Sequence, residues 1–208
     1  MATDLVPGSR FYERWFLPIG RFVTWPLFFI LGPVRVRHAD RVPRSGPLLI
    51  VANHRSDSDP VFVQKACPRA MHYMAKRELF SIKGLGWLIR RLNAFPVERD
   101  TADRGALRFT AQLLEAGEAV TVFPEGRISP NGQLLPMKSG VALLARQTGA
   151  PVICCRLINT ERVIPYGSVW PRPSWRGVEV VWSQPRTFGR DAETEEIMNW
   201  VRGELDPQ

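Results

Sequence analysis

Cysteine is scarce in this chain, and its positions exclude two kinds of site. The 208 residues contain only Cys67, Cys154 and Cys155. An odd number of cysteines, two of them adjacent in an apolar run, does not fit a disulfide framework and indicates a reducing compartment. No cysteine stands at metal-ligand spacing from a histidine, so the sequence predicts no zinc site and no metal cofactor. We interpret the adjacent thiols as core residues.

Three further absences narrow the choice of function. No serine stands in a Gly-x-Ser-x-Gly turn, so a serine-hydrolase mechanism has no support. No glycine-rich loop of the Walker or dinucleotide-binding type follows a strand pattern. No apolar run free of a central charge reaches the about 20 residues that a membrane-spanning helix needs. The composition, with 45% hydrophobic and 23% charged residues, is that of a folded chain, and the length predicts one domain.

Acidic residues are too few to balance the basic ones. Lysine and arginine total 28 against 20 aspartates and glutamates, which gives a net charge of +8. Such a charge indicates an anionic partner, and nucleic acid, anionic lipid and a phosphorylated substrate are the candidates. Charge alone does not choose among them.

Residues 10–34 are unusually rich in aromatic and aliphatic side chains. Arg21 and Pro26 interrupt the stretch, which disfavours a spanning helix, and no signal-peptide cleavage site follows it. An arginine-flanked, aromatic and broken apolar stretch is typical of a monotopic anchor in the headgroup region. We therefore assign residues 1–34 to an N-terminal amphipathic membrane-association segment with helical character and residues 35–208 to the main domain. A helix pair packed on that domain is the alternative.

Strand patterns alternate with helix patterns along the main domain. The predicted strands cover residues 47–52, 69–76, 94–97, 119–123, 151–158 and 178–182. One predicted helix begins near Pro60, and others cover residues 78–92, 101–116, 137–148 and 191–204. The helix over 78–92 is predicted to have a break near Gly84. This alternation predicts a single α/β domain with a mostly parallel sheet covered by helices. Residues 35–44 are predicted to be a basic link, and residues 165–175 a long surface loop.

The first predicted strand leads directly into a histidine. Asp59 follows His54 by five residues, just before a predicted helix. Open α/β sheets bind ligands at the carboxyl ends of their strands. A carboxylate beside an imidazole orients the ring and stabilises it when it accepts a proton, so the pair is a candidate general base. The alternative is that His54 is a polar loop residue and Asp59 a helix N-cap. For His72, inside a predicted strand, we favour core packing.

Two other strand ends are expected at the same edge of the sheet. One carries Glu98 and Arg99, and the other carries Glu125, Gly126 and Arg127. Arginine can hold a phosphate through paired N–H donors, and glycine permits a tight turn close to a ligand. The alternative is that Arg99 forms a surface ion pair.

These strand ends strongly resemble the sequence blocks of the phospholipid acyltransferase family, whose members include 1-acylglycerol-3-phosphate acyltransferases. Residues 53–59, Asn-His-Arg-Ser-Asp-Ser-Asp, match the family's N-H-x-S-x-x-D block. Residues 93–99 resemble the second block, residues 123–126 match the Phe-Pro-Glu-Gly block, and residues 150–153 resemble the start of the fourth.

The sequence also departs from the family pattern at three places. Asn93 stands where the second block usually has glycine, Arg127 lies one position earlier than the family arginine, and Cys154 replaces a proline. The sequence after Phe123 is similar to that of acyltransferases acting on lysophospholipids with larger head groups. Another head group is therefore the alternative acceptor.

The resemblance implies acyl transfer from acyl-CoA or acyl-carrier protein to the free hydroxyl of a lysophospholipid, with 1-acyl-glycerol-3-phosphate as the first candidate and phosphatidic acid as its product. It implies His54 as the base, Asp59 as its orienting partner and Arg99 as the phosphate ligand, with no cofactor. Glu125, Gly126 and Arg127 would shape the acceptor pocket. Lys76 and Lys138 are additional candidates for anion contacts.

The sequence also predicts where the protein is located, and two other functions are alternatives to acyl transfer. Amphiphilic substrates and a basic chain predict a monotopic protein on a surface of anionic lipid, and size and the lack of targeting signals favour the cytoplasmic face of a bacterial inner membrane. A nucleic-acid-binding module would explain the charge but not the histidine and aspartate at a strand end. An inactive membrane scaffold with the same fold would not require the intact His54 and Asp59.

Overall fold

The computed structural model describes residues 32–98, 104–168 and 170–207. The predicted membrane segment, up to residue 31, and Arg99 lie outside the described residues. Within the described ranges, no helix is long and apolar enough to cross a membrane.

Seven strands and six α-helices make up the described regular structure, with two 3-10 turns at Ala39–Arg41 and Arg77–Ser81. The strands are β1 (Val34–Arg37), β2 (Leu48–Ala52), β3 (His72–Lys76), β4 (Ala94–Val97), β5 (Ala119–Val122), β6 (Val152–Ile158) and β7 (Val178–Trp182). The helices are α1 (Asp59–Ala66), α2 (Leu85–Arg91), α3 (Arg104–Glu115), α4 (Gly140–Thr148), α5 (Thr160–Val163) and α6 (Thr194–Leu205).

The strands form one sheet in the order β1-β7-β6-β2-β5-β3-β4. Every neighbouring pair is parallel except β6 and β7, which are antiparallel. The predicted α/β class with a mostly parallel sheet is therefore confirmed. Because β2, β3, β4, β5 and β6 all run the same way, their carboxyl ends meet at one edge of the sheet.

Strand β2 is the centre of the core. All five of its residues are fully buried, and successive side chains point to opposite faces, as strand geometry requires. Leu49 and Val51 belong to a cluster that includes α3, α4 and α6. Leu48, Ile50 and Ala52 belong to a second cluster that includes α1 and Trp182. A strand buried on both faces explains the continuous apolar run in the sequence.

The predicted thiol positions divide between these two clusters. Cys154 packs on the face of Leu49, and Cys155 on the face of Ile50. All three cysteines are free and buried, and burial raises the pKa of Cys154 and of Cys155. They are core residues, as expected.

Two regions differ from the sequence-based expectations. Residues 35–44, predicted to be a basic link, contain most of β1, which pairs in parallel with β7. Its Val-Arg-Val-Arg sequence is largely exposed at the sheet end, so it lacks the apolar run that marks a buried strand. The break predicted near Gly84 in the helix over 78–92 is present, with Gly84 at φ +81°, but the part before the break is a 3-10 turn rather than an α-helix.

Candidate active site

The turn after β2 is fixed to the neighbouring strand by Asn53. Its side-chain amide donates to the Leu157 carbonyl at 2.9 Å, and its carbonyl oxygen accepts the Leu157 N–H at 2.7 Å. Asn53 therefore takes the role of one more backbone residue in the ladder between β2 and β6. The next residue, His54, leaves the sheet at a well-defined position.

Asp59 lies at the first turn of α1 and points back at the same turn. Its Oδ2 is 2.9 Å from Nδ1 of His54 and accepts the N–H groups of Arg55 at 2.5 Å and Ser56 at 2.8 Å. Asp59 is fully buried. A buried carboxylate needs such donors to remain charged, and here they also fix the direction of the carboxylate toward the imidazole.

His54 keeps its second ring nitrogen available. Nδ1 faces Asp59, which places the proton on Nδ1 and leaves the Nε2 lone pair as an acceptor. Nε2 has no hydrogen-bond partner in the described part of the chain, and the ring lines a cavity. The other face of the ring stacks on Phe123, with centroids 4.3 Å apart. The arrangement suits proton abstraction from a group in the cavity.

Glu125 holds the histidine backbone rather than a cavity wall. One carboxylate oxygen accepts the His54 N–H at 2.7 Å, and the other accepts the Leu135 N–H at 2.8 Å. The His54 carbonyl accepts the Ser129 N–H at 2.8 Å. Burial raises the pKa of Glu125, while the two N–H donors act in the opposite direction. Glu125 therefore links the turn after β2 to Leu135.

Replacing Glu125 by glutamine tests this link through its pH dependence. Because the folded-state pKa of Glu125 is raised, its contribution to stability is largest at acidic pH and decreases as pH rises through that pKa. The glutamine side chain does not titrate, so the free energy of unfolding of the wild type relative to Glu125→Gln should decrease from acidic to neutral pH. The new amide has a single carbonyl oxygen and can accept only one of the two N–H bonds, which costs about 1–3 kcal/mol.

Urea unfolding at several pH values measures this difference. The control is Glu115→Gln, because Glu115 is exposed on α3 and its replacement should give no such trend. A difference that grows as pH rises would contradict the raised pKa of Glu125.

A cavity of about 780 Å³ opens beside His54. Its wall is mainly apolar and comes from β3, β4, α3, α4 and the residues around Phe123. The apolar lining residues include Met74, Val97, Leu107, Met137, Val141 and Leu144. A cavity of this size and lining suits an aliphatic chain. These residues have no motif of their own, and only the strand and helix patterns that bring them together could have indicated them.

The charged residues of the cavity wall lie at the carboxyl edge of the sheet. They are Lys76, Glu98 and Lys138, and Gly126 lines the cavity beside them. Gly126 has φ +70°, and a side chain there would come 3.1 Å from Cε of Lys138. A glycine at this position thus leaves room for the lysine beside His54. Lys76 and Lys138 line the same cavity as His54, which is where the expected anion contacts require them.

Of the two arginines predicted for the site, only Arg127 is among the described residues. Arg127 is exposed and is not among the residues lining the cavity. Arg99 lies outside the described residues, although its neighbour Glu98 lines the cavity.

Asn93, at the family's glycine position, has φ +62°, a backbone conformation that glycine adopts readily and asparagine tolerates. The departure from the family pattern is therefore accommodated.

His72 lies away from this site. It begins β3, at the opposite edge of the sheet, is buried, and its Nε2 is 3.6 Å from Glu118. The interaction with His72 lowers the pKa of Glu118. Within the described ranges, no three histidine, cysteine, aspartate or glutamate side chains are grouped to hold a metal ion.

Comparison with known proteins found a matching family model and related enzymes. The family model described as "Acyltransferase" matches residues 33–158, more than half of the chain. A 1-acyl-sn-glycerol-3-phosphate acyltransferase of Bacillus subtilis is 30% identical over 123 residues, 59% of this chain and 61% of the relative. The enzyme of that name from Streptococcus pneumoniae is 29% identical over 171 residues, 76% of this chain and 62% of the relative. The matches thus span about three fifths of these relatives.

A solved structure is similar over nearly the whole chain. The crystal structure of the 1-acyl-sn-glycerophosphate acyltransferase PlsC from Thermotoga maritima superposes with a TM-score of 0.80 at 26% identity. The superposition covers 98% of this chain and 82% of that protein.

Proposed function

The chain belongs to the acyltransferase family, and from that premise we propose that it transfers a fatty acyl group from a thioester to the hydroxyl of a lysophospholipid. The donor is acyl-CoA or acyl-carrier protein. The acceptor favoured is 1-acyl-glycerol-3-phosphate, which gives phosphatidic acid. The observation that carries the proposal is the His54–Asp59 pair at the wall of an apolar cavity with lysines at its polar side.

The reaction follows from the arrangement of these groups. Nε2 of His54 takes the proton of the acceptor hydroxyl as that oxygen attacks the thioester carbonyl carbon. Asp59 stabilises the resulting imidazolium. The tetrahedral intermediate collapses with cleavage of the carbon–sulfur bond, and His54 returns its proton to the departing thiolate. The proton passes from the acceptor hydroxyl through His54 to the thiol, and the reaction requires no covalent acyl-enzyme and no cofactor.

The substrates and the membrane fit the same proposal. The apolar cavity accommodates the acyl chain, and Lys76, Lys138 and Arg99 bind phosphate, with Gly126 leaving room and Arg127 adding positive charge. Residues 1–34 attach the protein to anionic lipid as a monotopic segment, on the cytoplasmic face of the inner membrane. The alternative acceptor is a lysophospholipid with another head group.

A thiol-release assay tests the proposed function. The full chain is incubated with acyl-CoA, or with acyl-carrier protein carrying the same acyl group, and with lysophospholipids that differ in head group. We expect thiol release that depends on the acceptor and is fastest with 1-acyl-glycerol-3-phosphate. Release with another head group alone would correct the acceptor. No release with any pair, together with salt-sensitive retention on DNA, would favour a nucleic-acid-binding protein.

Replacing the phosphate-binding candidates should affect acceptor binding before chemistry. A hydrogen bond to a charged group contributes about 1.5–3 kcal/mol, so Arg99→Ala and Lys138→Ala should each raise KM for the phosphorylated acceptor by about 10- to 100-fold. Steady-state kinetics with varied acceptor measure this effect. Arg91→Ala is the control, because Arg91 is exposed on α2. An unchanged KM for either variant would contradict its role.

A further inference from the structure

Two tryptophans in one loop are unusually exposed. The loop between α5 and β7, residues 164–168 and 170–177, is called here the tryptophan loop. Trp175 is 87% exposed, Trp170 is 77% exposed and Tyr166 is 61% exposed. Tryptophan has a large apolar surface that folding normally covers. Exposing two indoles in one loop therefore calls for a partner that covers them.

The backbone of the tryptophan loop is fixed by its hydrogen bonds. The Arg172 N–H donates to the Val163 carbonyl at 2.8 Å, and the Gly177 N–H donates to the Ser174 carbonyl at 2.8 Å. The side chain of Asn159 donates to the Gly177 carbonyl at 3.2 Å. Ser174 itself is buried. The loop therefore presents its indoles from a framework tied to the domain.

The tryptophan loop lies beside the catalytic turn. The Ile164 carbonyl accepts a hydrogen bond from the hydroxyl of Ser56 at 2.9 Å, and Ser56 also donates its N–H to Asp59. The loop follows β6, whose carboxyl end lies at the same edge as that of β2 because the two strands are parallel. The indoles thus belong to the edge of the sheet where the cavity and its lysines lie.

The charge of this region is positive. Arg162, Arg172 and Arg176 are exposed, and none of them has an ion pair in the part of the chain that the structure describes. The nearby Glu161 lies 3.9 Å from Arg55. Tryptophan and tyrosine beside unpaired arginines are the combination that favours the headgroup region of a membrane, where rings meet the acyl boundary and cations meet phosphate.

We propose that the tryptophan loop inserts Trp170 and Trp175 into the headgroup region of an anionic bilayer, as a membrane contact in addition to residues 1–34. This contact holds the carboxyl edge of the sheet, and with it the mouth of the cavity, against the lipid. The proposal rests on the proposed function only in that a lipid substrate must reach the cavity. Single-stranded nucleic acid also stacks on aromatic rings, but an apolar cavity on the same edge favours lipid.

Vesicle sedimentation of the full chain is the first test. The variant with both Trp170→Ala and Trp175→Ala should partition at least about tenfold less onto vesicles of phosphatidylcholine and phosphatidylglycerol, because two aromatic surfaces are lost from the interface. Partition onto pure phosphatidylcholine should be weak for every protein. Trp87→Ala is the matched control, since Trp87 is 57% exposed on α2, which packs beside β4 at the other end of the sheet from β7. Equal loss in the control would overturn the proposal.

A label placed in the loop is the second test. The three native cysteines are buried, so a thiol-reactive, environment-sensitive fluorophore should label Trp175→Cys selectively. Anionic vesicles should shift its emission to the blue, and brominated lipid should quench it. Gln147→Cys is the control, because Gln147 is exposed near the end of α4 that leads to the opposite edge. Its label should not respond.

The outcomes separate this contact from the proposed function. If the wild type sediments with vesicles and catalyses thiol release but the label at residue 175 does not respond, the loop contact is wrong and the proposed function stands. If the label is already blue-shifted without vesicles, another part of the chain covers the indoles and the proposal is overturned. If the double variant loses DNA retention rather than vesicle binding, the partner is nucleic acid. Failure of thiol release itself counts against the proposed function.

Discussion

Replacing His54 by alanine should lower kcat by about 10²–10⁴-fold, the usual contribution of a positioned general base. His54 lines the cavity, and its Nδ1 is bound to Asp59 at 2.9 Å, which leaves Nε2 for the acceptor. With the imidazole removed, the acceptor hydroxyl has no group beside it to take its proton. Binding of the acyl chain and phosphate should change much less than kcat, because their contacts come from other elements. Single-turnover acyl transfer measures the chemical step directly.

Folding of the His54→Ala protein must be checked, since the ring stacks on Phe123 and its loss leaves Asp59 with fewer donors. His54→Gln is a second variant that fills more of the space. His72→Ala is the matched control, because it removes another buried histidine that pairs with a carboxylate at the opposite edge. It should lose stability while keeping kcat. Turnover at the wild-type rate in folded His54→Ala protein would disprove the general-base assignment.

Replacing Asp59 by asparagine should also reduce kcat strongly, by about 10²–10⁴-fold. The amide keeps the size of the side chain, and its oxygen is expected at the Oδ2 position, because the N–H groups of Arg55 and Ser56 and Nδ1 of His54 all point at that one position. The ring then keeps its proton on Nδ1 but loses the negative charge beside it. A neutral amide stabilises the imidazolium much less than a carboxylate does, so transfer of the acceptor proton to Nε2 becomes less favourable.

The ring tautomer makes this expectation distinguishable from a general loss of structure. Nitrogen NMR of histidine-labelled protein should show the proton on Nδ1 in both the wild type and Asp59→Asn, because the amide oxygen takes the place of Oδ2. Asp57→Asn is the control, because Asp57 lies in the same turn but is exposed. It should leave both kcat and the tautomer unchanged. A proton on Nε2 in Asp59→Asn would show that Asp59 acts by fixing the tautomer rather than through its charge.

The sequence predicted the elements whose physical signals are local. Strand β2 was recognisable because burial on both faces requires a continuous apolar run, and the block around His54 was recognisable from residue identity and spacing. The predicted family and the α/β fold are confirmed. The edge strand β1 was missed because it alternates valine with exposed arginine. The roles of His54, Asp59, Arg99, Glu125 and the lysines stay predictions.

Other parts of the site depend on contacts distant in sequence. Glu125 was expected to shape the acceptor pocket, but its carboxylate is occupied by the N–H groups of His54 and Leu135. Nothing in the block containing Glu125 indicates a partner 71 residues away. The apolar cavity also could not be read from a motif, because Met74, Leu107 and Leu144 come together only when β3, α3 and α4 pack.

The position of the turn after β2 within the sheet bears on how this chain could acquire new substrates. His54 follows β2, which lies at the centre of the sheet with a hydrophobic cluster on each face. By contrast, Met74 and Val97 of the cavity wall come from β3 and β4 at one end of the sheet. Substitutions at that end could lengthen, shorten or reshape the cavity while His54 and Asp59 keep their supporting contacts. Under the proposed function, selectivity for the fatty chain could therefore diverge among relatives while the reaction itself is preserved.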